Sequence, residues 1–224
     1  EEGPDQALLG VLAELGYFGM NVPAEYGGSF SDHVSTTLVW MELARACAGI
    51  ATTVGASGGL FGGNLAAAGT EEQKRRYLPA IATGEDIGCL AITEPQAGSD
   101  ALAIKTRALK KGDRYVLNGS KTFISNAPIA DVALIYATLD PSLGRKGIAA
   151  FIVEKGFPGF SAGAHFEKMG LRASPTGEIV LDDCEVPEEN LLGMAPGRGV
   201  AQLLAGLNVE RVGWSAIAVG IAKA

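Results

Sequence analysis

Ala91-Ile92-Thr93-Glu94-Pro95-Gln96-Ala97-Gly98-Ser99-Asp100 and Asn118-Gly119-Ser120-Lys121-Thr122-Phe123-Ile124-Ser125-Asn126 decide how this chain is read. Each joins an apolar run to a polar turn rich in hydroxyls and backbone donors. Taken singly, the first is ordinary Pro/Gly turn chemistry after a strand. Its successive backbone N–H groups and the Ser99 hydroxyl also suit an anion nest for a pyrophosphate. In the second, Asn118-Gly119 is the strongest short hairpin signal and predicts a hairpin over 114–126. The strand leaving that turn carries Phe123 and Ser125 on one face. A ring and a hydroxyl so placed can stack on a flat polar cofactor and hydrogen-bond its edge.

Outward from these segments the periodicity separates three regions. Residues 87–93, 131–138 and 147–154 are apolar runs of strand length, and 177–187 alternate, with Ile179 and Leu181 on one face and Val180 and Asp182 on the other. This predicts an antiparallel barrel or sandwich over 87–193. Before it, residues 1–86 read as a helical domain. Leu8, Leu12, Leu15 and Phe18 fall at helical spacing. Ser31 or Asp32 can cap a helix carrying Leu38, Met41, Leu43 and Ala44. Thr70 precedes Gln73 at capping-box spacing. From 194 to 224 the pattern is helical again, with Leu203, Leu204, Leu207, Val212 and Trp214, and reads as the start of a C-terminal helical bundle. Helices, then strands, then a helix is an α+β order.

Composition narrows the function classes. The chain has 224 residues, 47% hydrophobic and 19% charged, enough to bury a sizeable core. A net charge of -7 argues against nucleic acid as a partner, since phosphate neutralisation needs clustered Lys and Arg. Cys47, Cys89 and Cys184 lie far apart, and with His33 and His165 they form no usual zinc set, so no metal site is expected. Reduced thiols point to an intracellular protein, cytoplasmic, or of the mitochondrial matrix if eukaryotic. No signal-peptide pattern opens the chain, and it stops inside an apolar helix-like run, so a piece of a longer polypeptide is expected. Residues 50–69 have overlapping G-x-x-x-G spacings over a length near a membrane span, but they are poor in Leu, Ile and Phe. They read as a buried helix that approaches a neighbour or a ligand closely, not as a membrane span.

Further segments add to the central pair. Leu15-Gly16, Val22-Pro23, Glu25-Tyr26-Gly27-Gly28, Glu42-Leu43-Ala44-Arg45, Gly69-Thr70-Glu71-Glu72-Gln73-Lys74 and Tyr77-Leu78-Pro79 come before it. Met169-Gly170-Leu171-Arg172, Val186-Pro187 and Asn190-Leu191-Leu192-Gly193 come after it. In this order the whole set resembles the acyl-CoA dehydrogenase family over nearly the whole chain, with the C-terminal domain cut short.

The resemblance implies FAD as cofactor, an acyl-CoA substrate and electron-transfer flavoprotein as the acceptor. It also implies a homo-oligomer when complete. Leu90, Ala91, Ile92 and Thr93 would run along the isoalloxazine edge, with Gly98 and Ser99 at the junction of cofactor and thioester. Phe123 stands where the family often has Trp, Ser125 where it often has Thr, and Ile124 lies between them at the flavin. Asn208 and Arg211 fall in a segment that matches the family's first C-terminal-domain helix and would meet substrate. Glu210 occupies the base position of the isovaleryl and long-chain branches, whereas most branches carry the base farther downstream. Same-fold alternatives are an acyl-CoA oxidase or a flavin monooxygenase; another is a non-catalytic acyl-CoA- or flavin-binding paralogue. The resemblance further implies that these residues alone are inactive and bind FAD weakly.

Overall fold

The computed structural model describes residues 3–224. Its first helix, α1 (Gln6–Glu14), is capped by Asp5, whose carboxylate accepts the Ala7 N–H at 2.9 Å. The buried face carries Leu9 and Leu12, continued by Phe18, while Leu8 and Leu15 are exposed. The apolar stripe is therefore turned by one residue from the expected one, because two overlapping i, i+3/i+4 series share Leu12.

Asp32, not Ser31, caps α2 (His33–Val54), accepting the Ser35 N–H at 2.8 Å. The helix breaks at Cys47, where φ is -157° and ψ 103°. Beyond the break it runs into a nine-residue π-helical turn, Gly55–Gly63, and then α3 (Asn64–Ala68). Glycine is required on the packed side of the π segment. A β-carbon on Gly58 would stand 2.1 Å from the Phe18 carbonyl oxygen. The following helix, α4 (Glu71–Thr83), carries the expected capping box in full. The same Gln73 side chain donates to the carbonyls of Glu189 and Leu191 at 2.7 and 2.8 Å, tying the helices to the end of the sheet.

The strands are β1 (Gly88–Ala91), β2 (Arg107–Lys111), β3 (Arg114–Ser125), β4 (Val132–Thr138), β5 (Ile148–Glu154), β6 (Phe160–His165) and β7 (Thr176–Pro187). They form one seven-stranded sheet in the order β1-β4-β2-β3-β7-β6, with β5 on β4. The α+β expectation holds, but the sheet is mixed and open where an antiparallel barrel was expected. β1 and β2 both run parallel to β4. Those pairs come from chain crossovers that strand periodicity does not encode.

The expected hairpin over 114–126 is one continuous strand. The reversal falls earlier, at Gly112-Asp113 between β2 and β3, with Gly112 at φ +64°. Asn118-Gly119 instead marks a bulge: the β3–β7 register shifts between Leu117 and Gly119, and Gly119 sits at φ +151° against Thr106. The Asn118 side chain accepts the Asp183 N–H at 2.9 Å, so it serves the bulge and not a turn.

The last helix, α5 (Gly199–Ala222), packs against both limbs on either side of the Cys47 break. Gly220 lies under the Met41 carbonyl and Gly206 under the Asn64 side chain. Among the described residues no helix is long and apolar enough to cross a membrane.

Candidate functional site

Between the π segment, α2 and α5 lies a cavity of about 740 Å³. Its walls follow from small residues at helical spacing. Gly55, Gly59 and Gly63 recur every four residues and open onto it, and Ala201, Ala205 and Gly213 do the same from α5. A β-carbon on Gly55 would first meet the Trp40 ring, at 3.5 Å, and one on Gly59 only the Asn21 side chain, at 3.6 Å. These glycines leave room, whereas Gly58 and Gly62 on the opposite face pack against Phe18, Ile81 and Val22. The expected close approach of residues 50–69 to a neighbour is found on the Gly58 and Gly62 face, and the other face borders the cavity. A smaller recess of about 260 Å³ adjoins at Asn21, His33 and Trp40, and Asn208 borders it.

Glu210 lines the main cavity. Its carboxylate Oε1 accepts the Trp214 indole N–H at 3.1 Å, one turn along α5. Burial raises its proton affinity above the usual carboxylate range, and the Trp214 hydrogen bond and the Arg211 charge only partly offset that. Arg211 does not line the cavity: it is exposed, and its Nη1 donates to Asn208 Oδ1 at 2.9 Å.

The two central segments meet as neighbours. The Thr122 N–H donates to the Thr93 carbonyl at 2.9 Å. Glu94 and Ala97 exchange backbone hydrogen bonds of 3.1 and 3.0 Å, closing the turn around Pro95-Gln96. Gly98 and Ser99 follow in the open; a β-carbon on Gly98 would meet nothing within 4 Å. On β3 the register slips again between Lys121 and Ile124. This slip turns Phe123 outward, 70% exposed, with φ +58° and its ring 5.2 Å from Phe166. Ile124 is buried, Leu90, Ile92 and Thr93 are half-buried and Ala91 is fully buried. Ser125 lines the cavity and so joins it to this surface. Asn126 fixes that junction, donating from Nδ2 to the carbonyls of Thr53 at 2.9 Å and Gly88 at 3.2 Å.

An exposed ring on a strained bulge, an exposed turn of hydroxyl and backbone donors, and a hydroxyl on the wall of an apolar cavity fit a flat cofactor with a polar tail. Of the sequence-derived residues, Glu210 and Ser125 share the cavity. Phe123, Thr93 and Ser99 lie on the adjoining strands and turn, and Asn208 borders only the smaller recess.

Residues without a motif also line the site. Trp40, Asn21, His33 and Gln202 are in the cavity wall. The signal for Trp40 is its i, i+4 relation to buried Thr36 and Ala44, which the exposed Leu38 obscures. Beneath the two central segments, Lys121 and Glu94 form an ion pair of 2.8 Å at 0% and 2% side-chain exposure. Burial pushes the Lys121 ammonium down to about 8 against the pull of Glu94. For Glu94, burial is outweighed by Lys121 and by hydrogen bonds from Thr106 and Lys105, which hold its carboxyl below the usual range.

Fold and site together define a two-part helical and β-sheet scaffold with an apolar cavity beside an exposed ring and a donor-rich turn. The N-terminal domain profile of acyl-CoA dehydrogenases matches residues 1–85 and the middle domain profile residues 89–184. The chain belongs to the acyl-CoA dehydrogenase family. It is 44% identical to an acyl-CoA dehydrogenase of Bacillus subtilis (strain 168), over 100% of this chain and 59% of that protein. It is 41% identical to the caffeyl-CoA reductase-Etf complex subunit CarC of Acetobacterium woodii, over 97% of this chain and 57% of the other. Among solved structures, an acyl-CoA dehydrogenase from Bacillus anthracis complexed with FAD superposes with a TM-score of 0.90 at 43% identity, covering 97% of this chain and 37% of that one. The chain thus spans under two thirds of the length of these relatives.

Proposed function

We propose that the protein carrying this chain binds FAD beside an acyl-CoA thioester and desaturates the acyl group between Cα and Cβ. The observation that carries this reading is Glu210, a carboxylate of raised proton affinity on the wall of a cavity that Ser125 joins to the flavin-type strands. Removing the weakly acidic α-proton of a thioester needs a base whose pKa lies near the working pH, and burial moves Glu210 in that direction. FAD, when bound, accepts the β-hydride. Glu210 takes the proton from Cα, and the glycine and alanine walls exclude water around the acyl chain. Leu90, Ala91, Ile92 and Thr93 hold the ring edge, Phe123 stacks on it, Ile124 backs it and Ser125 donates to it. Gly98 and Ser99 hold the join of cofactor and thioester, and Asn208 and Arg211 the polar end of the substrate. Passage of electrons to an electron-transfer flavoprotein is supported by the likeness to a subunit of an Etf complex. Residues 1–86, of which 1 and 2 lie outside the described residues, residues 87–193 and residues 194–224 serve as the working units of this site.

The test is anaerobic addition of an acyl-CoA to the FAD-loaded protein, followed by visible absorbance. Bleaching of the flavin band, with only slow recovery in air, is expected. An unchanged spectrum refutes the reading, and rapid recovery in air makes the protein an oxidase.

A further inference from the structure

Lys121 is completely buried on a strand whose inward positions are otherwise mostly apolar, and a buried ammonium is costly unless it is paired and hydrogen-bonded. Its Nζ donates to Glu94 Oε1 at 2.8 Å and to the Ile92 carbonyl at 3.0 Å. Glu94 also accepts the N–H groups of Lys105 at 2.6 Å and Thr106 at 3.0 Å, and the Gln96 amide at 2.5 Å. The pair therefore ties together β3, the strand end at Ile92, the following turn and the start of β2. It sits immediately behind the β3 irregularity, two residues before Phe123. A bulky residue at φ +58° stores strain that persists only where the surroundings over-determine it. Here Lys121 pins one side of the bulge and Asn126 pins the other.

We infer that Lys121 is a positioning residue for the flavin: through the Ile92 carbonyl and Glu94 it fixes the spacing between the Leu90–Thr93 edge and the Phe123 bulge. This rests on the FAD reading above. An apolar side chain of similar length fills the same space, so volume alone does not call for an ion pair at this position. What the apolar side chain cannot do is hold the Ile92 carbonyl.

The experiment, on the whole protein that carries this chain, compares the wild type with Lys121→Met and with the double variant Glu94→Gln/Lys121→Met. FAD affinity is read from fluorescence quenching and fold stability from melting of the FAD-free protein. Lys121→Met strands the Glu94 charge and lowers both. In the double variant the amide oxygen at position 94 still accepts from the Thr106 N–H and no buried charge remains, so melting returns towards the wild type. FAD affinity in the double variant is expected to stay weaker by about tenfold or more. If Lys121→Met does not fold, the double variant alone decides. FAD affinity recovering together with melting, or unaffected in either variant, overturns the positioning role while leaving the FAD reading intact. Absence of FAD binding by the wild type overturns both.

Discussion

The Trp214 indole donates to the Glu210 carboxylate across 3.1 Å, so the acid that faces the cavity is oriented by a residue of its own helix. An i, i+4 contact of this kind needs no help from another segment. It places the ring and the carboxylate together on the cavity side of α5, and both line the cavity.

That contact makes a pH prediction. Burial lifts the Glu210 pKa, and the Trp214 hydrogen bond pulls it back because it favours the ionised form. A base works deprotonated, so kcat/KM should fall as pH drops through the raised pKa. Trp214→Phe removes a lowering contact and should move the acid limb to higher pH. A limb that stays in place, or moves down, would separate Glu210 from the proton transfer.

The two glycine faces of the π segment should respond differently. Gly59→Leu projects into open cavity, so it should shorten the longest acyl-CoA processed, read as KM across a chain-length series, with little change in melting. Gly58→Ala drives a methyl against the Phe18 carbonyl. It should destabilise the fold by about 1–3 kcal/mol in chemical denaturation. Equal effects of the two on melting would mean that the cavity face is packed.

Much of this is legible in the sequence, and the reasons the rest is not are physical. The Thr70/Gln73 capping box is readable because every partner lies within one turn. The strands at β4, β5 and β7 are readable because burial imposes a run or an alternation. Asn118-Gly119 reads as a turn because a bulge demands the same backbone freedom as a hairpin, and only the β7 partner distinguishes them. The parallel β1–β4 pairing is long-range and leaves no local pattern. Glu210 is found by resemblance, but the cavity it faces is formed with α2 and the π segment, which no local pattern around Glu210 shows. Lys121 and Glu94 read as unremarkable charges, since neither burial nor pairing across 27 residues shows in a local pattern.

The buried pair also predicts an acid limb in stability. Glu94 has its folded pKa held below the ordinary carboxylate range. Its contribution is full above the unfolded pKa and is lost as pH falls through the depressed folded value. Denaturation followed against pH should show this loss in the wild type and a flatter profile in Glu94→Gln. At neutral pH Glu94→Gln removes the partner that holds up the Lys121 pKa, so Lys121 either stays buried and unpaired or sheds its proton, at a cost of about 3–5 kcal/mol. A cost near zero would mean that Lys121 finds water or another acceptor.

The most direct test of the account is single-turnover flavin reduction by acyl-CoA in Glu210→Gln, set against its acyl-CoA binding. A positioned general base is worth roughly 10²–10⁴-fold. The account predicts that reduction slows by that order while acyl-CoA still binds. Flavin reduction at close to the wild-type rate would contradict it and place the base on another residue.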